Sequence, residues 1–543
     1  MKPILEVAAS FGIAEEHVEL YGRYKSKLDP GLREELGDRP DGKLVLVTAM
    51  NPTPAGEGKT LTTIGLAQSL NAIGAPTIAA LREPSLGPCF GMKGGATGSN
   101  KAQLLPSEDI NLHFTGDLHA ITSAHNLLAA MIDNHIFQGN ALQIDTNRIL
   151  WKRAMDMNDR SLRQIVVGLG EGNGSVHESG FMITTASEVM AVLCLSEDAR
   201  DLKERLGRMV VARNMGGEAV TAEQIGAVDA MTVLLKEAIK PNLVQTAEGT
   251  PAIVHGGPFA NIAHGCSSVI GTKTALKLAE IVVTEAGFGA DLGAEKFFDI
   301  KCRQAGLKPD AAVLVVTVKA LKYNGGAAKT ELDQPNPVAL RAGLSNMKRH
   351  LENLRKFGVP VMVALNHFAS DTEEEITLVK EECGRLGIKA ELSDVWAKGS
   401  EGGRELATTL LGILKQETAR YTPLYSDELD IRDKIETVVR EVYRGDGIKL
   451  SAKAAARIEE LERQGFGRLP VCMAKTPYSF SDQANLLGAP EGFTVQVKDV
   501  TLSAGAGFVV VHTGNIVTMP GLPKVPAAER IRLDERGEVA GLL

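Results

Sequence analysis

The stretch "KLVLVTAMNPTPAGEGKTLTTIGLAQSL", residues 43–70, joins an apolar strand pattern to a helical pattern through a loop rich in proline and glycine. The loop follows the phosphate-binding pattern G-x-x-x-x-G-K-[ST], except that Thr53 stands at the first glycine. Gly58, Lys59 and Thr60 keep the half that touches phosphate, where backbone amides and a helix N-terminus meet negative charge. We predict that Lys59 meets the β- and γ-phosphates and Thr60 binds Mg²⁺; the alternative is a tight turn with an incidental lysine.

The neighbouring sequence favours a doubly wound α/β fold. Short runs rich in Val and Ile alternate with helical patterns, as in parallel strands joined by crossover helices. Strands are predicted at residues 44–49, 77–81, 281–284, 311–318 and 360–365. Helices are predicted at residues 61–73, 118–137, 219–239, 267–279, 339–356, 372–386 and 431–443. Ligands of such sheets bind beyond the carboxyl ends of the strands, so the loops there should carry the chemistry.

A chain of 543 residues is too long for a single ordinary core. We expect a P-loop-containing, mostly parallel doubly wound sheet domain at residues 1–350. Two smaller α/β domains should follow at 351–450 and 451–543, because charged residues become denser near the first boundary and short strand-like runs fill the tail.

Composition narrows the class of protein. Apolar residues make up 44% and charged residues 23% of the chain, which is ordinary for a soluble globular protein. A net charge of −8 argues against nonspecific nucleic-acid binding but allows a small anionic substrate. The run "VMAVLCL" is too short to span a bilayer, and the N-terminal segment lacks the apolar centre of a signal peptide. We expect a cytoplasmic protein without a membrane partner, whose six scattered cysteines are thiols rather than disulfides.

Two further loops follow predicted strands and carry charge. Arg82 and Glu83 end the strand "PTIAAL", where a fixed guanidinium could bind a carboxylate or a phosphoryl group through two hydrogen bonds. A surface ion pair is the alternative. In "VVTEAGFGADLGAEKFF", an acidic residue such as Glu285 or Asp291 could hold Mg²⁺ through water.

Three aromatic side chains stand beside glycine-rich or charged loops in a chain with only 4% aromatic residues. Phe288, Phe368 and Trp396 each follow an apolar run. Together they could form a stacking slot for a flat heterocycle, although each taken alone fits ordinary packing.

The motifs "TPAGEGKTLTT", "LREPSLGP", "DINLHFTGD", "HGGPFANIAHG", "VVTEAGFGADLGAEKF" and "VTMPGLPKVPAA" occur in this order along the chain. Together they resemble the formate–tetrahydrofolate ligase family in its bacterial, single-function form. The resemblance implies ATP-dependent joining of formate to tetrahydrofolate through formyl phosphate, giving 10-formyltetrahydrofolate, ADP and phosphate. It also implies Mg²⁺ with the ATP, a monovalent cation such as K⁺ or NH₄⁺ as activator, a polyglutamate tail on the folate substrate, and a homotetramer.

The resemblance also implies roles for individual residues. Lys59 and Arg82 would be catalytic, with Arg82 contacting formyl phosphate, and Glu83 would contribute to the monovalent-cation site. Phe288, Phe368 and Trp396 would line the pterin site. The ATP loop would consist of Thr53, Pro54, Ala55, Gly56, Glu57, Gly58, Lys59 and Thr60.

This chain departs from the family pattern at two places. It reads "KGGATGSNKAQ" where members commonly read close to "KGGAAGGGYAQ", and Lys319 stands where an arginine is usual. Two other classes remain open from the residues alone. One is another P-loop ligase that phosphorylates a carboxylate or carbamate, and the other is a non-catalytic nucleotide-dependent switch.

Overall fold

The computed structural model describes residues 1–53, 56–92 and 95–542. The chain folds as a mixed α/β protein built around one large, mostly parallel sheet, with several small sheets around it. The strands are β1 (Val18–Leu20), β2 (Ser26–Leu28), β3 (Lys43–Ala49), β4 (Thr77–Leu81), β5 (Gly98–Ser99), β6 (Ala102–Leu105), β7 (Ile144–Ile149), β8 (Arg153–Met155), β9 (Ile165–Val167), β10 (His177–Ser179), β11 (Phe181–Ile183), β12 (Val210–Asn214), β13 (Ala219–Thr221), β14 (Asn242–Thr246), β15 (Pro251–Val254), β16 (Ile281–Glu285), β17 (Ala311–Val316), β18 (Val361–Asn366), β19 (Ala390–Ser393), β20 (Gly447–Leu450), β21 (Val471–Ala474), β22 (Thr494–Val497), β23 (Asp499–Ser503), β24 (Phe508–His512), β25 (Arg532–Leu533) and β26 (Val539–Ala540).

The α-helices are α1 (Ile4–Ala9), α2 (Gly31–Glu35), α3 (Lys59–Ala72), α4 (Leu86–Phe90), α5 (Ser107–Asn111), α6 (Asp117–Phe137), α7 (Glu188–Leu195), α8 (Ala199–Arg208), α9 (Ala222–Ile225), α10 (Val228–Leu234), α11 (Val269–Leu278), α12 (Arg303–Ala305), α13 (Val318–Asn324), α14 (Pro337–Lys356), α15 (Glu373–Arg385), α16 (Val395–Lys398), α17 (Arg404–Gln416), α18 (Ile431–Val438) and α19 (Ala452–Arg463). Within the described ranges, three further segments are π-helical, at Ala290–Ala294, Phe297–Cys302 and Val439–Tyr443.

The central sheet has the strand order β1-β2-β14-β15-β4-β16-β3-β17-β18-β19. All neighbours from β15 to β19 run parallel, whereas β1, β2 and β14 pair antiparallel at one end. Parallel strands need crossovers, and the helices between them cover both faces of the sheet. The carboxyl ends of β4, β16, β3, β17 and β18 therefore lie side by side at one edge, where the loops with polar motifs begin.

Successive residues of the buried strands point into different cores. Val47 packs in the cluster that contains Leu66 of α3 and Leu410 of α17, whereas Leu46 packs with the large cluster that contains Met347 of α14. This alternation follows from the two-residue period of a strand. It explains why β3 is apolar without interruption, since both of its faces are buried.

A second core lies in the C-terminal part of the chain, where α18, α19 and strands β20 to β24 bury residues from Tyr425 to Val511. In β21 the side chain of Val471 belongs to this core, while its neighbour Cys472 belongs to the large core. The small sheet β21-β24-β23 thus packs between the two. The expected division at 351 falls inside α14, and β18 and β19 belong to the central sheet; the domain assignment itself stays a prediction.

The five strands predicted from sequence are all confirmed, with small shifts at their ends. The single helix predicted at 219–239 is wrong. Residues Ala219–Thr221 form β13, and Thr221 then caps the short helix α9 through a capping box with Gln224. Gly226 ends α9 with a φ of +78°, a left-handed conformation that suits glycine and stops the helix. The apolar period continues through this break, so periodicity alone did not reveal it.

The six cysteines all lie among the described residues, where they are buried and form no disulfide. Among the same residues, no helix combines the length and the apolar character needed to cross a membrane.

Candidate active site at the carboxyl edge of the sheet

The loop after β3 is held by the buried carboxylate of Glu57. Its Oε1 accepts a hydrogen bond from the backbone N–H of Thr53 at 2.7 Å, and its Oε2 accepts one from Thr317 Oγ1 at 2.8 Å. Burial raises the pKa of Glu57 above its usual range, and the hydrogen bonds from Thr53 and Thr317 oppose that rise. Glu57 therefore ties the loop at residues 51–58, called the nucleotide-type loop below because of its phosphate-binding pattern, to the end of β17. Pro54 and Ala55 lie outside the described residues.

The glycines of this loop have conformations that other residues rarely adopt. Gly56 and Gly58 have φ values of +80° and +75°. A Cβ at Gly58 would lie 2.5 Å from Asn366 Nδ2, and that amide donates to the carbonyl of Glu57 at 3.3 Å. Glycine is required at position 58 for both reasons. The end of β18 thus presses against the turn that opens α3.

Glu285, at the end of β16, connects the loops after β3 and β4. Thr60 Oγ1, in the first turn of α3, donates to Glu285 Oε2 at 2.7 Å. Arg82 Nη2, directly after β4, forms an ion pair with Glu285 Oε1 at 3.6 Å. Lys59 is the first residue of the same helix, whose N-terminus favours anions. The structure therefore brings Lys59, Thr60 and Arg82 to one edge of the sheet.

Glu83 is buried beside Arg82, and its Oε2 has no hydrogen-bond partner among the described residues. Burial raises its pKa well above the usual range, the carboxylates of Asp117 and Asp156 raise it further, and the ammonium of Lys27 opposes them. A buried carboxylate oxygen without a donor is rare in proteins. This carboxylate is therefore suited to hold a proton or to bind a cation.

The loop "HGGPFANIAHG" packs against the turn at Glu83. A Cβ at Gly257 would lie 2.5 Å from the carbonyl oxygen of Glu83, so only glycine allows this approach. His255 is structural, because its ring nitrogens contact Ser268 Oγ and the carbonyl of Ala238, both at 2.7 Å. His264 is also buried, and burial lowers its pKa well below the usual range, with nearby cations lowering it further. Its imidazole is therefore neutral.

The three predicted aromatic residues lie around this edge but differ in exposure. Phe288 is half-buried with a φ of +59°, an uncommon conformation for a bulky residue, on the loop that follows Glu285. Phe368 is half-buried two residues after β18, and Lys319 Nζ lies 4.6 Å from the centre of its ring. Trp396 lies on the short helix α16 with 52% of its surface exposed. Among the described residues these three rings do not stack on one another.

Both departures from the family pattern contact these aromatic residues. Asn100, with a φ of +53°, donates from Nδ2 to the carbonyl of Trp396 at 2.8 Å. Lys319 forms an ion pair with Asp333 at 2.5 Å in addition to its contact with the ring of Phe368. The two changed positions thus touch the chain around the predicted folate site rather than the loop after β3.

The sequence singled out one member of a buried polar network at this site, Asp291, as a possible Mg²⁺ ligand, and missed the other members. This hydrogen-bonded network begins at Asn51, at the start of the nucleotide-type loop. Its other members are Asp291, Asn346, His350 and Lys475. Asn51 stands in the stretch quoted at residues 43–70, and Lys475 stands in the segment "VCMAKTPYSF". Both residue types can therefore be read from the sequence. Their connection cannot be read there, because it joins segments from opposite ends of the chain.

The fold and the site define the class of protein: a mixed α/β enzyme-like architecture whose polar groups meet beyond the carboxyl ends of neighbouring parallel strands. The family model described as formate–tetrahydrofolate ligase matches residues 1–543. The chain belongs to this family and is a ligase that acts on formate and tetrahydrofolate.

Proposed function

We propose that this ligase uses ATP to join formate to tetrahydrofolate through formyl phosphate, and releases 10-formyltetrahydrofolate, ADP and phosphate. The observation that carries the proposal is the position of Glu285, which is hydrogen-bonded to Thr60 and ion-paired with Arg82. This arrangement combines a helix N-terminus, a carboxylate and a guanidinium at one edge of the sheet. Phosphoryl transfer depends on such positioned charges more than on covalent chemistry by the protein.

In the first step a formate oxygen attacks the γ-phosphorus of ATP, and the bond to the β-phosphate oxygen breaks with its electron pair leaving on ADP. Lys59 and Arg82 stabilise the negative charge on the transferred group, and Arg82 then holds the formyl phosphate. Thr60 Oγ1 and Glu285 Oε2 lie 2.7 Å apart. Hydroxyl and carboxylate oxygens are ligands that Mg²⁺ takes, so these residues fit the Mg²⁺ that accompanies ATP.

In the second step the amine nitrogen of tetrahydrofolate attacks the formyl carbon. The carbon–oxygen bond to phosphate breaks, phosphate leaves with the electron pair, and the nitrogen loses its proton. Formate becomes a useful electrophile only once phosphate is its leaving group. The mixed anhydride needs protection from water, which the buried surroundings of Glu83 and His264 favour.

The buried oxygen of Glu83 supports a monovalent-cation site. Its Oε2 lacks a partner among the described residues, and burial disfavours a bare negative charge there. A cation such as K⁺ or NH₄⁺ would neutralise the carboxylate and supply the missing partner. The residue fits the group that the family implies.

Phe288, Phe368 and Trp396 are proposed to bind the pterin. The indole of Trp396, with 52% of its surface exposed, offers a flat apolar face on which a pterin ring would stack. The polyglutamate tail of the folate would extend beyond this region.

The proposal is tested with formate labelled with ¹⁸O. An oxygen of formate should appear in the released phosphate, because the attack on ATP leaves that oxygen bonded to phosphorus. ADP release should also require both formate and tetrahydrofolate. If ADP is released equally well without formate and without tetrahydrofolate, the protein is instead a P-loop enzyme that phosphorylates another carboxylate or carbamate.

A further inference from the structure

Lys475 directly follows β21 of the C-terminal core, and its side chain is fully buried. Its Nζ donates to Asp291 Oδ2 at 2.7 Å and to the carbonyl of Thr476 at 3.0 Å. The same ammonium donates to the carbonyl of Ser479 and lies 4.9 Å from the centre of the Tyr443 ring. A buried lysine needs such partners, and here a single carboxylate supplies the opposite charge.

The main chain of Lys475 is held as firmly as its side chain. Its N–H donates to Asn261 Oδ1 at 3.1 Å, and Asn261 Nδ2 donates back to its carbonyl at 3.2 Å. Asn261 lies on the loop that follows β15 and packs against the turn at Glu83. The C-terminal segment is therefore tied to two loops of the carboxyl edge through one residue.

Asp291 carries this connection to the start of the nucleotide-type loop. Asn51 Nδ2 donates to Asp291 Oδ1 at 3.1 Å and to the carbonyl of Pro477 at 3.1 Å. Asn51 Oδ1 accepts from Asn346 Nδ2 at 2.9 Å. Asn51 is fully buried, so moving it would leave several polar groups without partners. Its backbone position is two residues before Thr53.

A histidine contacts Asn51 at the same place. The N–H and the Oδ1 of Asn51 both lie 3.1 Å from His350 Nε2, which either accepts from the N–H or donates to the oxygen according to the tautomer of the ring. Burial lowers the pKa of His350 to about 4, so the ring is neutral. Asn51 is therefore held by residues outside the loop.

We infer that Lys475 is a positioning residue of the nucleotide site, acting through Asp291 and Asn51 on the loop that leads to Lys59. The inference rests on the proposed function, because it concerns the same loop. Removal of the ammonium leaves a buried carboxylate without its counter-charge. That carboxylate must then take up a proton or draw other donors toward it, and either change alters the geometry at Asn51.

The test compares Lys475→Met with Lys434→Met. Lys434 is also fully buried in the C-terminal part of the chain, and its Nζ donates to the carbonyls of Gly467 and Leu469 at 2.8 and 3.2 Å. Both variants should lower the melting temperature. Only Lys475→Met should raise the KM for ATP and lower kcat by about tenfold or more, with the KM for tetrahydrofolate changed by less than about threefold. Equal kinetic losses in the two variants would overturn the inference.

Direct binding of Mg²⁺–ADP, measured by calorimetry, separates this inference from the proposed function. Failure of the wild-type chain to bind ADP would contradict the proposed function. If the folded Lys475→Met variant binds ADP with the affinity of the wild type, only the positioning role of Lys475 is contradicted.

A double variant covers the case in which Lys475→Met does not fold. Asp291→Leu combined with Lys475→Met removes both charges, and apolar replacement of a buried ion pair often preserves stability. The double variant should fold. Its affinity for ADP should be lower than that of wild type by about tenfold or more, because Asn51 has lost its acceptor at position 291. Wild-type affinity in the folded double variant would overturn the inference.

Discussion

Glu285 is the side chain on which the polar groups of the site converge. Thr60, in the first turn of α3, and Arg82, directly after β4, contact its two oxygens at 2.7 and 3.6 Å. A carboxylate between a hydroxyl and a guanidinium can orient both and can also bind a metal ion. The identity of residue 285 should therefore matter for the chemical step more than for the fold.

Glu285→Gln tests this expectation, because it keeps the size and one acceptor oxygen while removing the charge. We expect kcat to fall by about a hundredfold and the required Mg²⁺ concentration to rise, since a metal ligand and the partner of Arg82 are both weakened. The measurement is kcat as a function of Mg²⁺ concentration. Glu401→Gln is the matched control, because Glu401 pairs with Arg404 on the exposed surface. Equal Mg²⁺ profiles for Glu285→Gln and wild type would remove Glu285 from the site.

Single residues also show how far sequence reasoning reaches. Lys59, Thr60 and Arg82 follow strands with a recognisable local pattern, and such patterns predict where a strand end presents a side chain. The hydrogen bond between Asn51 and Pro477 joins residues 426 positions apart. No local pattern encodes that contact, so Lys475 could not be assigned to the site before the fold was known.

At the scale of elements, the sequence predicted the strands that are buried along their whole length on both faces of the sheet. The central strands β3, β16, β17 and β18 are buried on both faces and read as continuous apolar runs. Strand β14 was missed because its sequence "NLVQT" mixes polar and apolar residues, although all five are buried. Its Asn242 is satisfied by Asp117 and by the carbonyl of Val254, which makes a polar residue acceptable inside the sheet.

The short helix α16 presents Trp396, and its role can be tested there. Trp396→Ala should weaken tetrahydrofolate binding by about tenfold or more and leave ATP binding nearly unchanged, since stacking on an aromatic face is lost. Phe137→Ala is the control, because Phe137 is 54% exposed on α6. Separate titrations of the two ligands decide the matter. Equal weakening of both ligands would indicate that Trp396 serves packing.

Helix α7 and the hairpin β23–β24 are joined by a buried carboxylate that should make their contact depend on pH. Glu188 Oε1 accepts from the N–H groups of Gly505 and Ala506 at 2.8 and 3.4 Å. Burial raises the pKa of Glu188 to about 7, against the opposing effect of these hydrogen bonds. The protonated form is therefore favoured in the folded chain, so this contribution to stability is full at low pH and is lost as pH rises through 7.

Glu188→Gln removes this titration and keeps an acceptor oxygen. Relative to that variant, the wild-type chain should lose on the order of 3 kcal/mol of unfolding free energy between pH 4.5 and pH 7.5, from a pKa that is about 4.5 in the unfolded chain. Urea denaturation of both proteins across this range gives the difference directly. A difference that stays constant with pH would show that Glu188 does not titrate in this window.

At the scale of the whole molecule, the C-terminal part forms hydrogen bonds with the N-terminal part of the chain at more than one place. The N–H of Ala527 donates to the carbonyl of Gly91 at 2.7 Å, and the carbonyl of Thr518 accepts from the N–H of Ile183 at 2.8 Å. Together with the contacts of Lys475, these hydrogen bonds tie residues beyond 470 to the end of α4, to β11 and to the loops that carry Asn261 and Asp291. The sequence predicted separate modules by charge density, but the contacts between modules depend on distant pairs that composition does not reveal.

Assembly is the last property to test at this scale, and we propose that the chain forms a homotetramer. The hairpin β9–β10 exposes apolar side chains of Val166, Leu169 and Val176 at 54%, 64% and 59%. Clustered exposed apolar residues are typical of protein interfaces, and we expect this hairpin to lie in one. Light scattering after gel filtration should give four times the 57.8 kDa of the chain for the wild type.

Leu169→Asp should reduce that mass at equal protein concentration, because a carboxylate would be buried without a partner in the assembled state. Val338→Asp is the control, since Val338 is 80% exposed at the start of α14, on a different element. A wild-type chain that remains monomeric would contradict the tetramer, and an unchanged tetramer in Leu169→Asp would place the interface elsewhere. If the smaller species still binds Mg²⁺–ADP like wild type, the nucleotide site is complete within one chain, as expected when Lys59, Arg82, Glu285 and Lys475 all come from the same subunit.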